Sequence, residues 1–234
     1  IKGAKVSLGD DLVILGHHYQ RADVYQHADL KGDSLKLSRL ASQANSEHIV
    51  FCGVHFMAEV ADIMSKPSQK ALLPDLAAGC SMADMANLSK VNRAWVELES
   101  VLGNKMSVTP ITYINSAADL KAFCGEHGGI VCTSSNASRI VSWGLTEKDK
   151  ILFFPDQHLG RWSGHQLGLI NESDMKVWDP DLWMGGLTEE EIKAAKILLW
   201  KGHCSVHQMF QPSHIVRFRE QHPDGFVISH PECR

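Results

Sequence analysis

The chain has no C-x-x-C pair among its six cysteines, which stand at positions 52, 80, 124, 132, 204 and 233. That absence removes zinc ribbons and fingers built on paired thiolates. No compact disulfide framework emerges either, so a reducing cytoplasm is the expected compartment. Long apolar runs are missing too. The longest, around Lys196–Trp200, falls far short of a membrane span, and no membrane association is expected. No basic stripe is present: Lys and Arg total 23 against 27 Asp and Glu, a net charge of −4, which argues against a nucleic-acid partner. No signal peptide opens the chain. It starts on Ile1 and not on Met, which reads as a processed or cut N-terminus.

What remains is a chain of 234 residues with 44% hydrophobic content, enough for one large domain or two smaller ones, each with its own core. Short apolar runs alternate with helical patterns. Leu12–Leu15, His48–Cys52, Lys70–Pro74, Lys105–Tyr113, Gly129–Thr133, Lys150–Pro155, Ala195–Trp200 and Gly225–Ser229 read as strands. Ser34–Asn45, Phe56–Met64, Asn92–Leu102, Ala117–Cys124, Asn136–Trp143, Thr188–Lys196 and Pro212–His222 read as helices, and Gly160–Gly168 as the start of another. Asp33 or Ser34 caps the first of these, and Thr188 with three glutamates opens a later one. Leu169–Leu187 reads as a loop-like insertion.

Such alternation predicts an α/β chain of repeated three-layer αβα domains with parallel sheets. The boundaries fall at 1–90 for a first domain and 91–206 for a second, which carries the insertion near 169–187. Residues 207–234 form the start of a third, incomplete domain, because one helix and one strand cannot bury their own apolar faces.

In open α/β sheets ligands bind beyond the C-terminal ends of the strands. Nearly every predicted strand here runs into polar chemistry at that end: Gly16-His17-His18-Tyr19-Gln20, Gly79-Cys80-Ser81, Tyr113-Ile114-Asn115-Ser116, Thr133-Ser134-Ser135-Asn136, Pro155-Asp156-Gln157-His158, Gly202-His203-Cys204 with His207, and His230-Pro231-Glu232-Cys233. Each feature also has an ordinary structural role. A lone cysteine after a strand is a small buried hydrophobe; Cys52, Cys124 and Cys132 are read that way. Thr-Ser-Ser-Asn serves as a helix cap, although N–H groups and hydroxyls at a helix start also suit a phosphate or carboxylate. Ser34 has the same two readings.

Taken together the phrases are specific. GHHYQ (16–20) with Asp23, GDSLKLSRLA (32–41), IVFCGVHFMAEVADI (49–63), LLPDLAAGCSMADM (72–85), TYINS (112–116), VCTSSNA (131–137), PDQHLGR (155–161), KGHCSVHQMF (201–210) and HPEC (230–233) follow one another in the order and spacing of the quinolinate synthase family, which the chain resembles over essentially its whole length. The resemblance implies three αβα domains about a pseudo-threefold axis. It implies a transferase that condenses iminoaspartate with dihydroxyacetone phosphate to quinolinate for NAD biosynthesis, releasing phosphate and water. A [4Fe–4S] cluster would sit where the domains meet, held by one cysteine from each, with its fourth iron open as a Lewis acid. Cys80 and Cys204 match two of those ligands. His17, Tyr19, His207 and Glu232 match catalytic positions. Ser34, Tyr113, Asn115, Ser134, Ser135 and His230, with His17 and Glu232, match substrate-binding positions. The implied partners are the source of iminoaspartate (L-aspartate oxidase or aspartate dehydrogenase) and iron–sulfur assembly proteins.

The sequence departs from the family in the third domain, whose Ser/Thr-rich phosphate contacts are absent. The third cysteine ligand lies beyond the HPE motif, and Cys233 does not stand at its position. Two thiolates are too few for a stable [4Fe–4S] site. The chain therefore reads as C-terminally truncated, inactive by itself and prone to associate. Two other classes fit the same residues: a zinc-dependent enzyme using Cys204 and His207, and a non-catalytic anion-binding module.

Overall fold

The computed structural model describes residues 1–103 and 106–233 and divides into two compact units, Ile1–Cys80 and Ser81–Arg234. The first contains α1 (Lys2–Leu8), β1 (Leu12–His17), α2 (Ala22–Tyr25), β2 (Leu30–Gly32), α3 (Ser34–Gln43), β3 (His48–Cys52), α4 (His55–Met64) and β4 (Lys70–Leu72). Its strands are all parallel, in the order β2-β1-β3-β4. A parallel sheet is covered on both faces, so its strands are apolar throughout and not alternating. Val13, Ile14 and Leu15 of β1 are accordingly buried in succession. Leu37 and Ala41 of α3 and Phe56, Val60 and Ala61 of α4 are buried on the helical layers. Asp33 caps α3, its side chain accepting from the Lys36 N–H at 2.9 Å.

The second unit contains α5 (Leu88–Leu102), β5 (Val108–Tyr113), α6 (Ala118–Glu126), β6 (Ile130–Cys132), α7 (Ala137–Glu147), β7 (Lys150–Phe154), α8 (Gln157–Gln166), β8 (Met175–Trp178), α9 (Glu189–Ala194), β9 (Ile197–Trp200), α10 (Ser205–Gln208) and α11 (Pro212–Gln221). Its parallel strands run β6-β5-β7-β9-β8. Val91, Ala94, Trp95 and Leu98 of α5 pack into one cluster with Leu152, Phe154, Leu198 and Trp200 of the sheet. Each such large apolar side chain contributes about 1.5–3 kcal/mol on burial. The Trp200 indole N–H donates to the Met85 carbonyl at 3.0 Å, which ties the segment before α5 to this core. The division of 81–234 into a second and a third domain stands as a proposal.

Several local expectations are revised. The segment Leu169–Leu187 is not all loop: it supplies β8, an edge strand beside β9, and a tight turn in which the Met184 N–H donates to the buried Glu97 carboxylate of α5 at 3.0 Å. The expected strand Gly225–Ser229 does not form. Phe226 and Ile228 are each 94% exposed, and a run of β-type residues becomes a strand only where a neighbouring strand pairs with it. The strand expected from Lys105 begins at Val108, and Lys105 itself lies outside the described residues. Helix α8 starts at Gln157, earlier than Gly160, because Asp156 caps it. Asn136 does not cap α7; its side-chain oxygen accepts instead from the Thr133 N–H at 2.7 Å. Among the described residues, no helix is long and apolar enough to cross a membrane.

Candidate functional site

Both sheets present their chemistry at the C-terminal edge, where the strand order reverses between β1 and β3 and between β5 and β7. In the first unit, His17 is the last residue of β1 and is only 5% exposed. Its Nδ1 accepts the Tyr19 N–H at 3.3 Å, which leaves Nε2 carrying the proton of the neutral ring. Burial, followed by His18, lowers its pKa to about 4, while Asp33 opposes the shift. Tyr19 is 83% exposed, its ring edge-on to His17 at 4.6 Å. His17 pairs in register with Gly32 at the end of β2, and Ser34 follows two residues later as the first residue of α3. Cys80 is half-buried at the end of the loop after β4. That loop is tied to α4, since the His55 N–H donates to the Ala78 carbonyl at 2.9 Å.

The second unit repeats these positions. Tyr113 is the last residue of β5 and pairs with Cys132 at the end of β6, and Ser134 again follows two residues later. Cys204 follows β9, the fourth strand in the sheet order, as Cys80 follows the fourth strand β4. The loop carrying Cys204 is held closely: the Gln157 N–H donates to the Gly202 carbonyl at 3.1 Å. A Cβ on residue 202 would be driven into the Pro155 carbonyl oxygen, so this approach of two backbones requires glycine.

Around Cys204 the second unit brings several of the expected residues together. His207 Nε2 lies 3.0 Å from Glu232 Oε2. His230 Nδ1 lies 3.8 Å from the same oxygen, and its ring stacks on His207 at 4.7 Å. Cys204 Sγ, a ring nitrogen of His207 and a carboxylate oxygen of Glu232 all lie within 4.8 Å of one another. Glu232 is 3% exposed. Burial first, and then the Asp156 carboxylate, raise its pKa to about 7, while the Tyr113 hydroxyl works against them. No hydrogen bond of ordinary geometry reaches Glu232 Oε1, although the Tyr113 hydroxyl is close enough to act on the carboxylate. Tyr113 is itself held well above the usual phenol range by burial and by Glu232, against a lowering contact from Ser134. Burial lowers the pKa of both His207 and His230.

Asn115 and Ser135 sit on the β5 and β6 end loops without joining this cluster through a described contact. Ser135 is exposed and its hydroxyl pairs with that of Thr133 at 3.0 Å. One residue of the site stands in the PDQHLGR phrase but has no site role in the sequence reading. Asp156 is fully buried, its Oδ1 accepts from the His158 N–H at 2.6 Å, and burial raises its pKa to about 6. An Asp directly before a helix start is the signal for its capping role.

The cysteines separate by depth. Cys52, expected in the core, is only half-buried because it stands at the exposed end of β3, and Cys233 beside Glu232 is half-buried too. Cys124 and Cys132 are sealed in the core, where burial pushes their thiols far up. Cys80 and Cys204 are half-buried at strand-end loops, a placement that suits metal or cluster thiolates.

A family model described as "Quinolinate synthetase A protein" matches residues 1–234. Curated relatives named "Quinolinate synthase" are 51% identical in Rhodopirellula baltica, 55% in Herpetosiphon aurantiacus and 53% in Nocardioides sp.. These alignments cover 100%, 100% and 99% of this chain, and 62%, 62% and 60% of the relatives. The chain thus spans about 60% of the length of the curated relatives it matches.

Proposed function

Since the chain belongs to the quinolinate synthetase A protein family, we propose that it carries two of the active-site edges of a quinolinate synthase, which condenses iminoaspartate with dihydroxyacetone phosphate and releases phosphate and water in NAD biosynthesis. The observation that carries this reading is the convergence on one buried carboxylate: Tyr113, His207 and His230 all face Glu232, at the sheet edge where such folds bind ligands.

The residues divide by chemistry. The reaction calls for imine formation and dehydrations, all of them proton transfers suited to His, Tyr and Glu. His17, neutral and with its Nε2 proton available, would donate to a substrate carbonyl or imine, with Tyr19 beside it. The His207–Glu232 pair would pass a proton between Nε2 and Oε2 at the other edge. Ser34, Asn115, Ser134 and Ser135 offer hydroxyl and amide groups at strand ends and helix starts, where backbone N–H groups also favour anions. Tyr113 and His230 would line the substrate beside Glu232. Cys80 and Cys204 would be two of the thiolates of a [4Fe–4S] cluster. When bound, a cluster with an iron free of protein ligands supplies Lewis acidity toward a hydroxyl or carboxylate. Iminoaspartate would come from an aspartate-oxidising enzyme, and the cluster from assembly proteins in the cytoplasm.

Two matched thiolates fall short of the three or four that clusters take, so the 234-residue chain alone is expected to load cluster poorly and to show little synthase activity. Anaerobic reconstitution with iron and sulfide counting tests this. Substoichiometric iron that falls further in Cys80→Ser and Cys204→Ser supports the reading. Iron loading indifferent to both substitutions would sink the assignment of these cysteines.

A further inference from the structure

We propose that Cys204, His207 and Glu232 form a site for a single thiophilic divalent cation of the zinc type, distinct in composition from the cluster. Their ligand atoms lie within 4.8 Å of one another. A thiolate, an imidazole and a carboxylate form a three-ligand set of the kind that leaves a fourth position open on zinc. Cys204 and His207 are brought together by one turn of α10, which starts directly after Cys204. Glu232 arrives from a separate segment and is buried there, so it is not one of the solvated acidic groups that gather at surfaces without a metal.

The surrounding contacts orient the set. His207 Nδ1 lies 3.3 Å from Cys233 Sγ. An imidazole held at one nitrogen by an outer partner directs the other toward the metal, and here the other nitrogen faces Glu232 Oε2 at 3.0 Å. The stacked His230 ring holds the His207 plane at an interplanar angle of 25°. Without a cation, His207 and Glu232 satisfy each other. A cation would enter between them, bonding one sulfur, one nitrogen and one oxygen. The Cys204 thiol proton would leave to water, and the proton shared by Nε2 and Oε2 would pass to Nδ1 where that nitrogen is bare and otherwise to water, with no change of oxidation state.

The consequence is competition. Such a cation occupies a thiolate that the proposed cluster requires, so zinc would block iron–sulfur loading at Cys204. The inference does not need the cluster reading: Cys80 belongs to the cluster assignment and has no part in this site.

The experiment is an anaerobic titration of the 234-residue chain with cobalt(II), followed by zinc. One cobalt per chain is expected, with a thiolate-to-cobalt charge-transfer band that zinc abolishes. Cys204→Ser should remove the band. His207→Gln and Glu232→Gln should keep it but weaken affinity by more than the roughly 10–100-fold that a lost outer partner costs. Cys80→Ser and Cys233→Ala should retain the band. Failure to bind cobalt, loss of the band in Cys233→Ala with retention in Cys204→Ser, or affinity unmoved by both His207→Gln and Glu232→Gln would each overturn the site. The two glutamine variants keep the test sharp if Cys204→Ser does not fold. A cobalt site that survives Cys80→Ser while iron–sulfide loading fails separates this inference from the cluster reading.

Discussion

His207 Nε2 sits 3.0 Å from Glu232 Oε2 although the two belong to separate segments of the second unit, one just after β9 and the other beyond α11. The carboxylate is nearly inaccessible and its imidazole partner is mostly covered. A buried pair of this kind is costly to break from one side, because the remaining group keeps its desolvation and loses its partner.

That asymmetry gives the first prediction. His207→Ala should destabilise the chain by about 1–3 kcal/mol. Adding Glu232→Gln to it should cost less than Glu232→Gln costs alone, with a coupling energy of about 0.5–3 kcal/mol. Urea unfolding of the two single variants and the double variant measures this; strict additivity would show that the pair is not coupled.

Asp156 predicts a pH dependence. Its pKa rises from the ordinary 3.8 to about 6, chiefly through burial. A carboxyl group with a raised folded-state value stabilises the fold fully below 3.8, and that stability is lost as pH rises through 6. Asp156→Asn retains an oxygen to accept the His158 N–H but cannot ionise. Relative to the parent, the variant should therefore gain up to about 3 kcal/mol between pH 4 and pH 7. A difference in unfolding free energy that stays flat over that interval would contradict the assignment of this carboxylate as desolvated.

Gly202 gives the third. A Cβ there meets the Pro155 backbone carbonyl and not a flexible side chain, so relief requires the loop to move. Gly202→Ala should cost about 1–3 kcal/mol, read as a lowered melting temperature. It should also weaken cobalt binding at Cys204, because the same loop carries the thiolate. A variant with parental stability and parental cobalt affinity would show that the close approach is not needed.

The parallel αβα pattern was legible in the sequence because strands buried on both faces leave uninterrupted apolar runs, such as Val13–Leu15 and Ile151–Phe154. Edge and tail segments were less legible. β8 is only partly buried along its length, so nothing in Met175–Trp178 separates it from loop. Phe226, Val227 and Ile228 have strand chemistry, but strand formation depends on a neighbour that local sequence does not encode. The site divides the same way. Cys80, Cys204, His207 and Glu232 could be picked out by their place in motifs. Their environment could not: the sheet order β5-β7-β9 brings the ends of distant strands side by side, and this is how Tyr113 and Asp156 come to act on the Glu232 carboxylate.

The two sheets place matching chemistry at matching addresses. His17 and Tyr113 both close the first strand of their unit, Ser34 and Ser134 both follow the second by two residues, and Cys80 and Cys204 both follow the fourth in spatial order. An imidazole or phenol, a hydroxyl and a thiol thus recur in the same order along the C-terminal edge of each sheet. Each sheet therefore offers its own proton donor and its own thiol at its C-terminal edge, so a substitution at one edge leaves the other edge's set in place.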